Sequence, residues 1–286
     1  MKVLLTGATG FLGSHLLERL VDSNNSVVCL KRESSNLQRV EHLVEQVEWF
    51  NLEGFDYDQF FLKEEIDCII HCATHYGRKE EDPLQTIEAN IILPLKLLYA
   101  SSKTNISMFI NTDTILDKRI NHYSLSKNQF VDWLRSFPKH LTLVNLAIEH
   151  FYGPLDDESK FVSFIVKELI TNERKTINLT EGLQKRDFIY IDDVVEAFMV
   201  LLRNMHALDK SFHHFEVGSN NPISIKEFVT LTKELCKNNQ SKLNFGAIPY
   251  RKNEIMLSSA DTSLLESLGW APRVDLIEGL KKTINN

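Results

Sequence analysis

The sequence predicts an α/β fold in which a parallel β-sheet carries helices on both faces. Short, almost continuous apolar segments alternate with helical patterns through the first half of the chain. Strands of this kind are typical of a doubly wound parallel sheet, because they are buried on both sides. A glycine-rich segment joins the first strand to the first helix. The 286 residues, 43% of them hydrophobic, are enough to bury a large core.

The predicted strands and helices follow one another in a regular order. Strands of the first half are expected at 2–5, 27–30, 68–70, 108–110 and 141–146. Apolar residues at helical spacing predict the intervening helices at 12–22, 87–101 and 125–135. Beyond residue 150 the alternation is looser, with helices expected at 161–170, 192–205 and 225–236, a strand at 212–217, and short segments at 186–191 and 261–268.

This change of pattern predicts two folding units without a linker between them. Residues 1–150 are expected to form the domain that carries the sheet, with 188–218 returning to it. Residues 151–187 and 219–286 are expected to form a smaller C-terminal lobe.

Charge and cysteine content exclude several classes of protein. Lys and Arg number 32 and Asp and Glu 39, so the formal net charge is −7 and no nucleic-acid partner is expected. The four cysteines, at 29, 68, 72 and 236, follow no zinc or disulfide spacing, so we expect reduced thiols and no metal site. No signal peptide and no apolar run of membrane-spanning length is visible, and we expect a cytoplasmic protein without a membrane partner.

A glycine motif occupies the turn between the first strand and the first helix. Glycines at such a turn allow a tight bend, close approach of a pyrophosphate and close packing of helix on strand. The N-terminus of the helix adds free N–H groups and a partial positive charge for phosphates. A purely structural loop is the alternative, but the place of the motif predicts a dinucleotide site. Its expected lining is Gly7, Thr9, Gly10, Phe11, Leu12 and Gly13.

The spacing of these glycines, GxxGxxG, resembles that of the extended short-chain dehydrogenase/reductase family, the NAD-dependent epimerase/dehydratase group. The resemblance extends over nearly the whole chain. It implies a Rossmann-type sheet, a nicotinamide cofactor and a nucleotide-sugar substrate. It also implies further cofactor contacts, although Asn51 replaces an aspartate of the family pattern. These contacts are Asn51, Leu52, Cys72, Ala73, Thr74 and Asn90.

The residues after the second strand bear on the choice of cofactor. A carboxylate there would accept the ribose hydroxyls of NAD, whereas a cation would bind the 2′-phosphate of NADP. The chain has Lys31 and Arg32 at this place, so NADP(H) is the preferred cofactor. Glu33 follows directly and leaves NAD(H) open, and a solvated basic turn is the alternative without function.

A tyrosine and a lysine form the centre of the predicted catalytic set. Tyr123 and Lys127 are four residues apart, which places them on one face of a helix. A free tyrosine has a pKa of about 10, and a neighbouring cation such as Lys127 would make it useful as an acid or base. Thr112 follows a strand upstream, where its hydroxyl can bond the reacting oxygen. The resemblance implies that these three residues are the family's Ser/Thr–Tyr–Lys set, with Lys127 also binding the nicotinamide ribose.

The segment after Thr112 argues against one activity of the family. In its 4,6-dehydratases the pattern is Thr-Asp-Glu, and the two carboxyl groups eliminate water. Here Asp113 is present, but Thr114 stands at the glutamate position and Asp117 is a misplaced substitute. A dehydratase is therefore disfavoured, and Asp113 is expected to bind substrate.

Substrate contacts in the second half follow from the same resemblance. His150 stands where the family has Asn before Tyr-Gly-Pro, and Ala147 replaces a common Arg. Arg186 and Arg251 match positions that clamp the diphosphate of a nucleotide sugar, for which guanidinium groups suit bidentate contacts. Surface salt bridges are the alternative for both arginines. His75, after the strand expected at 68–70, is a further candidate for the sugar pocket.

Three functions are compatible with this set of residues. The favoured one is NADPH-dependent reduction of the 4-keto group of a nucleoside-diphosphate 4-keto-6-deoxyhexose, because the Thr–Tyr–Lys set is intact without the dehydratase glutamate and the basic end of the second strand indicates a dissociable, reducing cofactor. The segments around Thr112 and Tyr123 also resemble 4-ketoreductases of O-antigen sugar pathways. A 4-epimerase with tightly held NAD is the first alternative, and a non-catalytic NADP(H)-binding protein is the second. Apolar faces at 90–101 and 125–134 resemble the family's dimer interface, so a homodimer is expected.

Overall fold

The computed structural model describes residues 1–77, 82–137 and 140–285. The strands are β1 (Lys2–Thr6), β2 (Ser26–Lys31), β3 (Glu48–Asn51), β4 (Cys68–His71), β5 (Met108–Thr114), β6 (Thr142–Ile148), β7 (His150–Tyr152), β8 (Thr176–Asn178), β9 (Lys185–Arg186), β10 (Phe188–Tyr190), β11 (Phe212–Val217), β12 (Ile223–Ser224) and β13 (Lys242–Asn244). The helices are α1 (Phe11–Asp22), α2 (Tyr57–Lys63), α3 (Pro83–Ile87), α4 (Leu93–Ser101), α5 (His122–Ser136), α6 (Phe161–Thr171), α7 (Ile191–Arg203), α8 (Ile225–Leu235), α9 (Ser263–Glu266) and α10 (Leu276–Ile284).

The chain divides into two compact units. The first comprises residues 1–147 and 195–215, and the second comprises residues 148–194 and 216–286. Both units are therefore built from two separate stretches of the chain.

A seven-stranded parallel sheet forms the centre of the first unit. Its strand order is β11-β6-β5-β4-β1-β2-β3. Leu4 of β1 is paired with Val28 of β2 on one side and with Ile69 of β4 on the other. The strand order reverses between the neighbouring strands β1 and β4, and the carboxyl ends of two such strands are where sheets of this type bind ligands. This arrangement confirms the predicted Rossmann-type fold class.

Burial explains why the strands of this sheet are almost continuously apolar. Leu4, Val28, Ile69 and Phe109 are fully buried in one hydrophobic cluster, which Phe130 of α5 joins from its helix. Each such side chain contributes roughly 1.5–3 kcal/mol to folding. The packing of α5 on this cluster fixes the helix on which Tyr123 and Lys127 lie.

Small paired strands and a few buried carboxylates organise the second unit. β7 pairs with β10, β8 with β13, and β9 with β12. The Asp193 carboxylate accepts hydrogen bonds from the amides of Arg273 and Val274, and burial raises its pKa. Trp270, buried to 2% exposure, donates to the Asp193 carbonyl. These contacts join the C-terminal segment to the start of α7.

The structure contains several elements that the sequence pattern did not predict. The edge strand β3, the helices α2 and α10 and the 3₁₀ segment Gln38–Gln46 were not predicted. The helix expected at 87–101 begins earlier, with α3, and a π-helical turn at Glu88–Ile92 separates α3 from α4. Turns of this type occur frequently at functional sites.

Candidate active site

The glycine motif forms the tight turn between β1 and α1. Gly7 has a φ of +74°, and a Cβ on it would lie 2.5 Å from the Ala73 amide nitrogen. A Cβ on Gly13 would lie 2.0 Å from the carbonyl oxygen of Gly7. Gly10, in contrast, is exposed and is the N-cap of α1, where no side chain caps the helix. The turn thus leaves the first N–H groups of α1 without a capping side chain, as a phosphate site requires.

The ends of β1 and β4 are joined beside this turn. The Thr6 hydroxyl lies 2.8 Å from His71 Nδ1 and accepts a hydrogen bond from the Ala73 amide at 3.2 Å. His71 is fully buried, and burial together with the positive charge of Lys127 holds its pKa well below the usual value. A neutral imidazole therefore fixes the loop that contains Cys72, Ala73 and Thr74.

Lys127 lies inside the protein, with its ammonium group at the end of β5. It is 2% exposed, and its Nζ donates to the carbonyl oxygen of Thr112 at 2.7 Å. Burial lowers the pKa of Lys127 to about 8, although the nearby Asp113 carboxylate opposes the shift. Helix α5, which carries Lys127, begins at a capping box formed by Asn121 and Ser124.

The hydroxyl of Thr112 and the ring of Tyr123 each have a neighbour from the loop after β4. Thr112 Oγ1 lies 3.2 Å from Cys72 Sγ. Burial raises the pKa of the Cys72 thiol to about 11, so it is protonated at neutral pH. The Tyr76 ring packs against the Tyr123 ring with centroids 4.9 Å apart. One loop therefore contacts two of the three predicted catalytic residues.

Asn90, in the π-helical turn, connects this loop to α5. Its Oδ1 accepts from the His75 amide at 2.8 Å and from the Thr74 hydroxyl at 3.1 Å. Its Nδ2 donates to the His75 carbonyl and to the Ser126 hydroxyl, both at 2.9 Å. All four hydrogen-bonding positions of the amide are thus used within the protein. A cofactor contact of Asn90 stays a prediction.

The cationic end of β2 lies beside β3. Lys31 Nζ donates to Asn51 Oδ1 at 2.8 Å, and the Leu52 amide donates to the Lys31 carbonyl at the same distance. Arg32 is exposed. The carboxylate of Glu53 accepts from the Glu33 amide at 3.0 Å. Sequence reasoning missed this acid, because the edge strand β3 that brings it beside β2 was not predicted.

A buried polar network lies behind Asp113. Asn145 of β6 donates to Asp113 Oδ2 at 2.8 Å and accepts from Asn111 Nδ2 at 2.7 Å. His214 Nδ1 lies 3.0 Å from Asn145 Nδ2. Asn145 therefore orients the carboxylate that the sequence placed near the substrate. The sequence offered one signal for this role, since Asn145 is the polar residue in an otherwise apolar part of its strand.

The remaining predicted substrate residues lie in the second unit. His150 Nδ1 contacts Glu149 Oε2 at 2.8 Å. The Arg186 guanidinium donates to Glu254 and, at 2.6 Å, to the Ile255 carbonyl, and burial lowers its pKa. Arg251 is exposed. Sequence reasoning missed Glu149 and Glu254, whose partners could be identified only from the folded chain.

Two further features concern metal and membrane binding. Within the ranges that the structure covers, no three His, Cys, Asp or Glu side chains cluster as metal ligands. Among the helices in those same ranges, none combines the length and apolar character needed to cross a bilayer.

The family of the chain follows from a match to a family sequence model. This model, described as NAD dependent epimerase/dehydratase family, matches residues 3–218. The chain belongs to this family. The resemblance that the glycine and tyrosine motifs carried is thereby confirmed, and these motifs lie in the matched part of the chain.

Individual relatives in this family match over almost their full length. CDP-abequose synthase of Salmonella muenchen is 34% identical, with 99% of this chain and 97% of that protein covered. The putative UDP-glucose 4-epimerase of Methanocaldococcus jannaschii is 24% identical over the same shares. Among solved structures, the UDP-glucose 4-epimerase of Thermotoga maritima with UDP-glucose superposes with a TM-score of 0.86 and 23% identity, covering 100% of this chain and 98% of that one. This last likeness concerns the fold.

Proposed function

We propose that the protein reduces the 4-keto group of a nucleoside-diphosphate 4-keto-6-deoxyhexose with NADPH. The observation that carries the proposal is the contact near the end of β5, where the Lys127 ammonium donates to the carbonyl of Thr112. Tyr123 lies on the same helix as Lys127. Thr114, in the same strand as Thr112, stands in place of an acidic residue. CDP-abequose synthases at 32–34% identity support a nucleotide-sugar substrate.

The proposed reaction uses each of the three side chains differently. NADPH, when bound, supplies the hydride. Tyr123 donates its phenolic proton to the carbonyl oxygen as that oxygen becomes negative. Lys127 stabilises the resulting phenolate by its charge. The Thr112 hydroxyl donates to the same substrate oxygen and orients it.

The residues near Thr112 do not suit elimination of water. Thr114 has no acidic group, and Asp117 is bound by Arg119, whose Nε and Nη2 donate at 2.7 and 2.6 Å. These bonds lower the pKa of Asp117 to about 2, so it is a poor base. Asp113 alone cannot act as both acid and base. These observations support a reductase over a 4,6-dehydratase.

The preference for NADPH rests on the cations at the end of β2. Lys31 is held towards Asn51 of the adjacent strand, and Arg32 is exposed beside it. Two cations at this place favour a 2′-phosphate through charge-assisted hydrogen bonds. The three glycines and the uncapped start of α1 fit the pyrophosphate of either cofactor.

A 4-epimerase with bound NAD is the second candidate, and one observation favours it. Glu53 lies against the Glu33 amide, so a carboxylate as well as two cations stands near the end of β2. Such an acid could accept the ribose hydroxyls of NAD. The family description, NAD dependent epimerase/dehydratase, agrees with this alternative.

The absorbance band of NADPH distinguishes the two candidates. Purified protein is mixed with NADPH and, in turn, CDP-, dTDP- and GDP-4-keto-6-deoxyhexoses, with NADH in parallel. We expect stoichiometric loss of NADPH with one of the three sugars. Absence of loss with all of them, together with interconversion of the two C4 epimers of a nucleoside-diphosphate hexose such as UDP-glucose, seen by NMR in a second mixture with NAD, would replace the reductase by the epimerase.

We also propose that the protein is a homodimer that pairs through α4 and α5. Tyr99 of α4 is 59% exposed, and Leu125 and Trp133 of α5 are 40% and 50% exposed. Large apolar side chains on two neighbouring helices are typical of an interface between copies of one chain.

A further inference from the structure

A thiol lies against the hydroxyl of one of the predicted catalytic residues. Cys72 Sγ is 3.2 Å from Thr112 Oγ1. These two residues directly follow His71 and Asn111, which are partners in the parallel pairing of β4 with β5. Because neighbouring parallel strands keep their alignment from one residue to the next, the sheet itself places the thiol beside the hydroxyl.

The backbone on each side of this contact is held by other parts of the first unit. The Cys72 amide donates to the carbonyl of Thr6, the last residue of β1, at 3.2 Å. Gly7 packs so closely that a Cβ on it would lie 2.7 Å from the carbonyl carbon of Cys72. The Thr112 carbonyl accepts from the Lys127 ammonium at 2.7 Å. The positions from which the two side chains project are therefore fixed.

The protonation state of the thiol bears on which group donates. Burial raises the pKa of Cys72 to about 11, so the sulfur carries its proton at neutral pH. Thiol and hydroxyl then hold one proton each, and one of the two protons lies between them. Sulfur is a weak acceptor, whereas a hydroxyl oxygen has two lone pairs that accept well. Donation from sulfur to Thr112 Oγ1 also leaves the stronger donor, the hydroxyl proton, for another partner.

We propose that Cys72 is a positioning residue: its S–H group donates to Thr112 Oγ1 and thereby directs the hydroxyl proton towards the carbonyl oxygen of the substrate. The inference rests on the proposed function, in which Thr112 donates to that oxygen. A Thr112 hydroxyl that donated to sulfur would offer only lone pairs to the reacting oxygen. Lone pairs would repel the negative charge that develops there as hydride arrives, whereas a free O–H group stabilises it.

The S–H stretching band in the infrared reports this contact without any substrate. Loss of one band in Cys72→Ser assigns the signal among the four cysteines. We expect the Cys72 band of the wild-type protein at the lower frequency of a donating thiol. It should move to higher frequency in Thr112→Val and stay in place in Thr112→Ser. An unshifted band in Thr112→Val, or no Cys72 band at neutral pH, would overturn the inference.

Steady-state kinetics with saturating NADPH measure what the thiol does for the reaction. Cys72→Ala removes one neutral hydrogen bond, so kcat should fall about three- to tenfold while the KM for the sugar stays within about twofold. Cys72→Ser keeps a donor and should recover most of kcat. Cys68→Ala is the matched control, because it removes another buried thiol of β4, one that donates to the Ile69 carbonyl, and it should leave kcat unchanged. A Cys72→Ser no more active than Cys72→Ala would contradict the role of the donor.

A double substitution tests whether the thiol acts through Thr112. In a Thr112→Val background, Cys72→Ala should no longer change kcat, because the hydroxyl that the thiol orients is gone. An equal loss of kcat in both backgrounds would make Cys72 a packing residue and overturn the inference.

Failure of the proposed function has a different result from failure of this inference. If the wild-type protein consumes NADPH with none of the keto sugars, the reductase and the role of the thiol fall together. If the wild-type protein is active and Cys72→Ala has the same kcat, only the present inference falls. Should Cys72→Ala not fold, the band shift in Thr112→Val still decides whether the S–H group donates to Thr112.

Discussion

The ammonium group of Lys127 donates a hydrogen bond to the main-chain carbonyl of Thr112 at 2.7 Å. This contact ties the side chain of a helix residue to the end of the strand that carries the Thr112 hydroxyl. The ammonium is buried, and one carbonyl does not replace its hydration. The protein therefore keeps a charge where it weakens folding, as is common at functional sites.

We expect the stability of the protein to rise between pH 8 and pH 10.5 because of Lys127. Its pKa of about 8 in the folded protein lies below the ordinary value of 10.5, so in this interval the unfolded chain binds the extra proton. The difference, 10.5 − 8 = 2.5 units, corresponds to at most about 3 kcal/mol. Urea unfolding of the wild-type protein and Lys127→Met across this interval measures the effect, which the variant should lack.

The exposed Lys96 provides the control for this measurement. Lys96→Met should retain the rise, because Lys96 lies on the surface beside Glu88. Equal pH dependence of the wild-type protein and Lys127→Met would contradict the burial of a charged Lys127. Subtracting the free energy of unfolding of Lys127→Met from that of the wild-type protein at each pH cancels the contributions of the other titratable groups.

Buried apolar strands and local motifs were predictable, whereas contacts made by distant residues were not. The glycine turn and the spacing of Tyr123 and Lys127 are local features, and they specified the turn between β1 and α1 and the helix α5. The edge strand β3 was missed because it is only half-buried and lacks a continuous apolar run. Glu149 was missed because its partner Ser258 lies far along the chain, and only the folded backbone brings the two together.

Replacement of Tyr123 by phenylalanine should remove the proton donor and leave the ring contact with Tyr76. We expect kcat to fall about 10²- to 10⁴-fold while the Kd for NADPH stays within about twofold. Steady-state kinetics and fluorescence titration measure the two quantities. Tyr57→Phe, on α2 outside the predicted site, keeps its ring contact with Phe55 and should behave as the wild-type protein. Full activity of Tyr123→Phe would remove Tyr123 from the mechanism.

Arg32→Ala should weaken binding of NADPH and leave NADH unaffected. A charge-assisted hydrogen bond to the 2′-phosphate contributes about 1.5–3 kcal/mol, so the Kd for NADPH should rise about tenfold or more. Titrations with both cofactors at two salt concentrations measure the difference. Lys63→Ala, at the exposed end of α2, should change neither Kd. An equal loss for both cofactors would mean that Arg32 does not contact the 2′-phosphate.

Trp133→Asp should convert the proposed dimer into a monomer. A carboxylate on the exposed apolar face of α5 would have to be desolvated in the interface, which costs several kcal/mol. Light scattering after size-exclusion chromatography gives the mass of each species. Leu62→Asp is the control, since Leu62 of α2 is 81% exposed but lies outside the proposed interface. A wild-type protein that is already monomeric would rule out the proposed pairing.

Alanine at Gly13 and at Gly10 should damage different properties of the protein. At Gly13 the added Cβ would lie 2.0 Å from the Gly7 carbonyl oxygen, so α1 must move away from β1 and the free energy of unfolding should fall by about 1–3 kcal/mol. At Gly10 the nearest atom is the same oxygen, but at 3.3 Å, so a shift of a few tenths of an ångström relieves the contact and the free energy of unfolding should fall less than in Gly13→Ala. The methyl group of Gly10→Ala would instead stand where the pyrophosphate approaches the start of α1, so cofactor affinity should fall about tenfold or more. Urea unfolding and NADPH titration of both variants separate these effects, and unchanged NADPH affinity in Gly10→Ala would place the phosphates elsewhere.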